Sequence, residues 1–544
     1  MTSNVTAPDS ICGVRIDEMA DWSEPEQGEA GFIRHAMPTR LYQVMVARRP
    51  DLLERAGIRM EWHGTGGARH AVLVQVMDAP PPVRRDDPVR TTIDADGVRV
   101  NAAGLLKWQP RPLRALKHFW QAGQRAFLDA SDTGTGKTYV ALAFGRELRR
   151  EVKCVTRKPA RTQWRDAAAH IGVKCEAWNY EALKTGRHPW VRWVRVRPKP
   201  IQGRVQPVQL WPEWQVDPEK ALLVFDEVQW CKSPDYTLNS KLLLTAAWRG
   251  IPLHMMSATV ATSPIHLRAV GYALGLHDNR DFHGWLSRHG CVQSGKEWLF
   301  NNSKAVMRSL HENIFSRCAV RIRTGECEGF PEVVNEAVLA DFPPEVGRHL
   351  AVFRGMMERM EARISGYADG RFTEAMAARQ RAEAAKVVTV CDQAREDVAE
   401  GRSVALFFNF HEAIELAVHL TGWPVIVGGQ RESDREEIRR AFCADEIPGI
   451  ICNSESGGVA LSLHGRRPRR GHIMPTWKAD TLKQVLGRLP RAGGAFTHQT
   501  IWFAAGTIED DICANVRKKL NNLDMLNDGD VQGAFALTRA RRKT

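Results

Sequence analysis

The sequence predicts an α/β protein in which two doubly wound parallel sheets follow each other along the chain. Short, continuously apolar runs alternate with segments of helical spacing, a pattern typical of strands buried on both faces of a parallel sheet. One series of runs begins near Leu105 and a second begins near Val404. A chain of 544 residues has material for several cores. We therefore expect two tandem lobes with helical insertions, preceded by a small α/β module.

The runs that we interpret as strands are bounded by polar or turn-forming residues. In the first lobe they are 126–128, 153–156, 222–225 and 253–256. In the second lobe they are 404–408, 425–427, 450–452, 472–474 and 500–503. Between the two sets, residues 345–401 have helical spacing, with breaks expected near Gly366 and Gly370.

These patterns divide the chain into six segments. In chain order we expect a polar, disordered N-terminus (1–30), a small accessory module (31–100), the first lobe (101–275), a helical insert and linker (276–400), the second lobe (401–530) and a basic tail (531–544). The first lobe carries an insert rich in Trp and Arg at 186–216. A protein partner could bind through residues 1–100.

Charge and composition narrow the class of protein. Lys and Arg number 76 against 63 Asp and Glu, a formal net charge of +13, which favours a polyanionic partner such as nucleic acid over a merely basic surface. The 11 cysteines include no Cys-x-x-Cys pair, so we expect reduced thiols and no zinc site. No apolar run reaches about 18 residues and no secretory pattern opens the chain, so a cytoplasmic protein of a bacterium or phage-infected cell is expected.

The segment 130–138 predicts a phosphate-binding loop between a strand and a helix. It ends in Gly-Lys-Thr, with Ser131 where the usual pattern has glycine. Glycines let backbone N–H groups turn toward phosphate oxygens, and a helix N-terminus favours negative charge. Lys137 would reach the β- and γ-phosphates, and Thr138 would hold Mg²⁺. The predicted nucleotide-binding residues are Thr133, Gly134, Thr135, Gly136, Lys137 and Thr138.

Two acids and two arginines further along the chain fit the same chemistry. Asp226 and Glu227 end an apolar run, where Asp226 would bind Mg²⁺ and Glu227 would orient or deprotonate the attacking water. Arg488 and Arg491 share a face at a spacing of three, near Gln484, and could stabilise charge on a γ-phosphate. The alternatives are a solvated acidic pair and an ordinary basic surface loop.

The Trp/Arg insert predicts a β-hairpin that turns near Gln202 and Gly203. In one interpretation Arg192, Arg195 and Arg197 bind nucleic acid phosphates, while a tryptophan stacks on a base or wedges at a junction. In the other, the tryptophans pack on the first lobe and the arginines are solvated.

The order of these motifs resembles that of superfamily 2 helicases, and more narrowly the Swi/Snf-type DNA-dependent ATPases. The resemblance spans about residues 105–525, and the compact size resembles phage or bacterial members. The matching segments are 130–138, 158–164, 179–183, 226–229 with the trailing Lys232, 257–259, 407–410, 454–463, 484–491 and 506–512. Two segments depart from the Swi/Snf pattern: 226–229 reads Asp-Glu-Val-Gln without a His, and 257–259 reads Ser-Ala-Thr rather than Gly-Thr-Pro.

The resemblance implies two RecA-like lobes that bind ATP and Mg²⁺ between them. It implies catalytic roles for Lys137, Asp226, Glu227, Gln484, Arg488 and Arg491, and nucleic acid backbone contacts for Ser454, Gly457 and Gly458. It also implies an adenine-reading glutamine ahead of the loop. Gln109 is the candidate, although alignment through 111–113 would put Arg114 at that place.

The implied activity is ATP-driven movement on duplex or branched DNA that remodels forks, junctions or bound proteins. A strand-separating DNA or RNA helicase is a second possibility. A third is an ATP-gated nucleic-acid-binding clamp or recruitment factor that moves nothing. None of the three requires a membrane.

Overall fold

The computed structural model describes residues 97–196, 207–295, 297–361, 368–455 and 462–531. Short strands within 1–96 and at 536–539, and helix residues 360–361 and 368–372, are described as backbone only. No helix in the described part of the chain is long and apolar enough to cross a membrane.

Six strands lie in the N-terminal segment. They are β1 (Ser10–Ile11), β2 (Val14–Arg15), β3 (Glu26–Gln27), β4 (Phe32–Met37), β5 (Ile58–His63) and β6 (His70–Val76). The last four form an antiparallel sheet in the order β3-β4-β6-β5. Strands β1 to β3 fall within residues 1–30, which we predicted to be disordered, and β3 extends the sheet of the accessory module.

The first lobe is a parallel six-stranded sheet. Its strands are β7 (Ala126–Asp129), β8 (Glu151–Thr156), β9 (Cys175–Asn179), β12 (Ala221–Asp226), β13 (Leu253–Met256) and β16 (Ala319–Val320), in the order β16-β7-β13-β12-β8-β9. Alternate residues of β12 enter different cores: Leu223 and Phe225 pack on one face, and Leu222 and Val224 on the other. Burial on both faces explains the continuous apolar run.

Two antiparallel hairpins interrupt this lobe: β10 (Val191–Val196) with β11 (Gln209–Trp214), and β14 (Cys291–Ser294) with β15 (Glu297–Phe300). Val196 pairs with Gln209, so the predicted hairpin is confirmed, and the turn predicted near 202–203 lies outside the described residues. Trp190 and Trp214 are buried in the lobe core, and Trp193 donates a 2.6 Å hydrogen bond to Leu183 O. These contacts support the packing interpretation for Trp190, Trp193 and Trp214, while stacking of a tryptophan on a base stays a prediction.

The second lobe is a parallel seven-stranded sheet. Its strands are β17 (Val333–Ala340), β18 (Ser403–Phe408), β19 (Val425–Ile426), β20 (Gly449–Asn453), β21 (Arg469–Ile473), β22 (Thr497–Ala504) and β23 (Ala536–Arg539), in the order β19-β20-β18-β21-β22-β17-β23. Strands β16 and β17 both lie in the segment 276–400 that we predicted to be helical. One completes the first sheet and the other joins the second.

Fourteen α-helices lie in the described part of the chain. They are α1 (Pro110–Gln121), α2 (Lys137–Glu147), α3 (Arg161–Ile171), α4 (Tyr180–Leu183), α5 (Leu238–Trp248), α6 (Arg268–Ala273), α7 (Phe282–Arg288), α8 (Lys304–Phe315), α9 (Pro344–Glu361), α10 (Ala368–Ala399), α11 (His411–Thr421), α12 (Glu432–Cys443), α13 (Ala479–Leu486) and α14 (Ile508–Asp528).

Helices α9 and α10 form a pair that packs on the second lobe. Helix α9 ends at Glu361 and α10 begins at Ala368, so the helical stretch is divided close to the predicted breaks; Gly370 lies in the first turn of α10, and Gly366 lies outside the described residues. Lys386 of α10 is buried and forms an ion pair with Glu509 at the start of α14. Buried apolar residues and the Lys386–Glu509 ion pair attach the two helices to the second lobe.

Candidate active site

The loop between β7 and α2 has the backbone shape that phosphate binding requires. Gly134 and Gly136 have φ values of 90° and 87°, in the left-handed region that costs a side chain energy. Ser131 is buried, and its Oγ accepts a 2.9 Å bond from Ile322 N, beside β16. The serine that replaces the usual glycine therefore ties the loop to the neighbouring strand.

The loop folds around its own lysine. Nζ of Lys137 donates to Ser131 O at 2.7 Å and to Asp132 O at 3.1 Å. The hydroxyl of Thr135 donates to the same Asp132 O at 2.9 Å. Thr138 lies in the first turn of α2. Phosphate oxygens could replace the two carbonyls as partners of the ammonium group, while the N-terminus of α2 adds a favourable field.

Gln109 supports the phosphate loop, and the base-reading role expected for it stays a prediction. It is fully buried, and its Nε2 donates to Thr135 O at 3.0 Å while its Oε1 accepts from Leu106 N at 2.9 Å. A Cβ at Gly136 would come within 2.1 Å of that Nε2. Because both ends of the carboxamide are engaged in the protein, Gln109 holds the loop from beneath.

Asp226 is held at the carboxyl end of β12 by three neighbours. Its Oδ2 accepts from Thr156 Oγ1 at 2.7 Å and from Trp164 Nε1 at 3.1 Å, and its carbonyl accepts from the Tyr180 hydroxyl at 2.8 Å. Burial, with the nearby charge of Glu227, raises the pKa of Asp226 to about 6. A carboxylate held this firmly at the end of a buried strand is suited to a metal ion.

Glu227 is bonded from both lobes. Its Oε2 accepts from Gln229 Nε2 at 2.7 Å and from Gln484 Nε2 at 3.3 Å. Its backbone is in the left-handed region at φ 52°, which turns the chain sharply after β12. Gln229, at the place of the family's histidine, therefore orients the carboxylate, and Gln484 reaches it from the second lobe.

Arg488 is a buried cation and Arg491 is a half-buried one. Within the described residues no carboxylate lies within ion-pair distance of either guanidinium, and Arg488 Nε has no hydrogen-bond partner there. Burial lowers the pKa of Arg488 to about 10 and that of Arg491 to about 9. A Cβ at Gly134 would meet Arg491 Cδ at 2.9 Å. An anionic ligand beside the phosphate loop would satisfy both arginines.

The site thus fits a nucleoside triphosphate with Mg²⁺. The first lobe contributes Lys137, Thr138, Asp226 and Glu227, and the second contributes Gln484, Arg488 and Arg491. Thr138 and Asp226 are the residues that would hold the metal ion. Among the described residues no cluster of three or more His, Cys, Asp or Glu could hold a metal by itself.

The structure describes three of the six residues that we predicted to contact nucleic acid. Ser454 is buried, and its hydroxyl donates to Phe408 O at 3.1 Å, so its contact with nucleic acid stays a prediction. Arg192 donates to Glu213 Oε2 at 2.6 Å and is partly neutralised. Arg195 is exposed. Arg197, Gly457 and Gly458 lie outside the described residues.

Sequence reasoning missed the residues that hold the site. Thr156 and Trp164 both bind Asp226, yet a strand-end threonine and a helical tryptophan carry no signal of that contact. Arg321, which binds the phosphate loop, lies nearly 200 residues from it. Lys232 was noted as a trailing lysine, but its 2.5 Å ion pair with Asp480 across the lobes depends on the tertiary fold.

Comparison with known proteins gives three similarities. No family model matches the chain. A putative ATP-dependent RNA helicase of Acanthamoeba polyphaga mimivirus is 27% identical over 449 residues, covering 76% of this chain and 82% of the viral protein. The SWI2/SNF2 ATPase core of Sulfolobus solfataricus in complex with dsDNA is 13% identical, with a TM-score of 0.31, covering 78% of this chain and 93% of that chain. S. cerevisiae Dbp5 bound to RNA and ADP BeF3 is 11% identical, with a TM-score of 0.41, covering 80% and 89%.

The structural similarities have low TM-scores, so the similarity rests on the order of the motifs and on the viral relative. The motifs lie on two parallel-sheet lobes, and residues of the second lobe approach Gly134 of the phosphate loop and Glu227. In these features the chain is similar to superfamily 2 helicases.

Proposed function

We propose that the protein couples ATP hydrolysis between its lobes to movement along duplex or branched DNA. The observation that carries the proposal is the pair Arg488 and Arg491 of the second lobe: Arg488 is buried, and Arg491 lies against Gly134 in the phosphate loop of the first lobe. A triphosphate between the lobes would draw them together, and its loss would let them part. If the lobes hold the DNA backbone at different points, each cycle becomes a step that can remodel forks, junctions or bound proteins.

Each residue of the site has a role in this cycle. Lys137 and the start of α2 would bind the β- and γ-phosphates, and Thr138 with Asp226 would hold Mg²⁺, which supplies positive charge to the phosphate oxygens. Glu227, oriented by Gln229 and Gln484, would receive the proton of the attacking water. Arg488 and Arg491 would stabilise the charge that develops on the transferred phosphoryl group.

We propose DNA as the nucleic acid along which the protein moves because of the Swi/Snf-like features of the chain. The Tyr-Glu pair at 180–181 and the trailing Lys232 resemble that branch, and the net charge of +13 suits a nucleic acid backbone. Contacts to phosphates would make binding salt-sensitive and weakly dependent on sequence. Arg195, exposed on the hairpin, is a candidate contact.

A second candidate is a strand-separating helicase on RNA or DNA. The viral relative is named as a putative RNA helicase. In addition, Ser-Ala-Thr at 257–259 resembles superfamily 2 branches other than Swi/Snf.

The deciding experiment is ATP turnover in the presence of single-stranded, duplex and forked DNA and of RNA. Stimulation by duplex or forked DNA, with displacement of a triplex-forming strand but no unwinding, supports the translocase. Unwinding of a duplex supports the second candidate. Nucleotide binding without stimulation by any nucleic acid would leave an ATP-gated clamp. Lys137→Ala should abolish turnover while the protein stays folded, because it removes the phosphate contact and otherwise only two hydrogen bonds within the loop.

A further inference from the structure

The last helix of the second lobe ends inside the first lobe. Ile512, Val516 and Leu520 of α14 pack in the core of the second lobe, whereas Met525 and Leu526 pack in the core of the first. We call residues 522–528 the helix tip. Leu523 of the tip still packs in the core of the second lobe, but Met525 and Leu526 are buried in that of the first, so the end of the tip is seated there by burial as well as by hydrogen bonds.

The helix tip contacts the segment around 257–259. Asn527 Nδ2 donates to Ala258 O at 3.1 Å, and Asn522 Nδ2 donates to Thr262 O at 3.1 Å. Both asparagines are buried. The tip therefore carries polar groups that match carbonyls of the first lobe, and its seat is specific.

The final residue of the tip, Asp528, reaches a cation that touches the phosphate loop. Arg321 donates to both of its carboxylate oxygens, through Nε at 2.5 Å and Nη2 at 2.8 Å. The side chain of Asp528 is 1% exposed and that of Arg321 is 10% exposed. A bidentate ion pair shielded from solvent is among the stronger polar contacts in proteins.

The same guanidinium holds the phosphate loop on its other side. Nη1 of Arg321 donates to Ala130 O at 2.5 Å, and Nη2 donates to Asp132 Oδ1 at 3.1 Å. Asp132 is also the residue whose carbonyl accepts from Lys137 Nζ. A continuous set of polar contacts therefore joins Asp528, Arg321, Asp132 and Lys137. Lysine at position 321 could not make all of these contacts, because it lacks a planar set of donors.

We propose that Arg321 is a positioning residue that sets the phosphate loop according to whether the helix tip is seated on the first lobe. The inference rests on the proposed function, because it assumes that the loop binds ATP and that the lobes separate. Separation of the lobes must either bend α14 or withdraw its tip. Withdrawal removes Asp528 from Arg321, which keeps only its contacts to the loop and is free to shift with Asp132.

The chain offers a matched control for this role. Arg323 donates to the same Asp528 at 2.8 Å, but its side chain makes no bond to the phosphate loop among the described residues. Arg321→Gln and Arg323→Gln therefore each remove one cation from Asp528, and only the first removes a support of the loop. Arg321→Lys keeps the charge and loses the fork.

The test measures the affinity of each variant for ATP that carries a fluorescent N-methylanthraniloyl group, without nucleic acid, beside its melting temperature. We expect Arg321→Gln to weaken binding about tenfold or more, Arg321→Lys to fall between it and the wild type, and Arg323→Gln to change binding less than about twofold. Equal losses in Arg321→Gln and Arg323→Gln would overturn the proposal. This comparison measures binding and needs no hydrolysis. If the wild type binds nucleotide but no nucleic acid stimulates its ATP turnover, the proposed motor function fails and this comparison can still be made.

A second variant tests the contact between the helix tip and Arg321, and it can be measured even if Arg321→Gln does not fold. Asp528→Asn withdraws the anion of the tip and leaves Arg321 on the loop. We expect nucleotide affinity without DNA to change less than about threefold, while the change in affinity caused by a duplex DNA oligonucleotide falls toward none. An unaltered DNA effect in Asp528→Asn would show that the loop does not respond to the tip.

Discussion

At the residue scale, we expect Arg488 to lower the stability of the nucleotide-free protein and to raise the rate of ATP hydrolysis, and both effects can be measured. A buried guanidinium without a carboxylate partner costs folding free energy, and that cost is offset only when an anion binds. Arg488→Met should therefore raise the melting temperature of the nucleotide-free protein by roughly 2–4 °C and lower kcat about 100-fold or more. Thermal unfolding and ATP turnover check the two effects.

The control for this prediction is Arg466→Met, which removes an exposed arginine of the same lobe. It should leave both quantities unchanged, because an exposed guanidinium is solvated in every state. A lower melting temperature in Arg488→Met would mean that Arg488 has a partner that holds the fold together.

Single residues show which parts of the site can be predicted from sequence. Lys137 is predictable because phosphate binding needs a cation directly after the glycine turn. Arg491 is predictable because it lies at a helical spacing from Arg488, so that both cations can face a phosphate. Gln109 and Ser454 are not, because the direction of a side chain depends on packing. The same glutamine can face a base or the loop beneath it, and only its bonds to Leu106 and Thr135 decide.

At the element scale, α10 is anchored to the sheet of the second lobe through Asp397. His472 Nε2 bonds its Oδ2 at 2.9 Å, and Trp502 Nε1 donates to His472 Nδ1, so the imidazole is neutral and donates to the carboxylate. Burial alone would raise the pKa of Asp397, but the bond from His472 and the charges of Arg470 and Arg402 lower it to about 2.

The sign of the pH effect follows from that lowered pKa. The stabilisation is complete above the unfolded pKa near 3.8 and is lost as the pH falls toward 2. Asp397→Asn should lower the free energy of unfolding by about 2–3 kcal/mol at pH 7, and the difference should shrink below pH 4. Urea unfolding at pH 7 and pH 3.5 measures it. A difference that is the same at both pH values would contradict the role of the charge.

Elements also show where periodicity fails as a predictor. The long apolar strands were predictable because burial on both faces leaves an uninterrupted run. Strand β16 has two residues, too few for any period, and β17 mixes Asn335 and Glu336 with apolar residues because those polar side chains bond to neighbouring strands. Gly370 was expected to break the helical stretch, and it lies in the first turn of α10, where a glycine costs at most about 1 kcal/mol.

At the scale of the whole molecule, contacts between distant segments turn two lobes into one site. The sequence predicts both lobes, since each has its own core. It does not predict that α14 crosses from one core to the other, because the amphipathic pattern of a helix does not say which lobe its last turn enters. Coupling between the lobes therefore has to be read from the structure.

The ion pair between Lys232 and Asp480 offers a test of lobe closure that leaves the reacting groups in place. Its atoms lie 2.5 Å apart, and Asp480 begins α13, the helix that carries Gln484 to Glu227. Each side chain is about a quarter exposed, so the pair should contribute about 1 kcal/mol to closure, or about fivefold in the ratio of closed to open molecules.

Lys232→Asp and Asp480→Lys should each shift fluorescence energy transfer between labels on the two lobes toward the open state, because each places like charges together. The double variant should restore closure, because it re-forms the pair in reverse. If the two single variants and the double variant all transfer energy like the wild type, closure is set by the Arg488 and Arg491 contacts rather than by this pair.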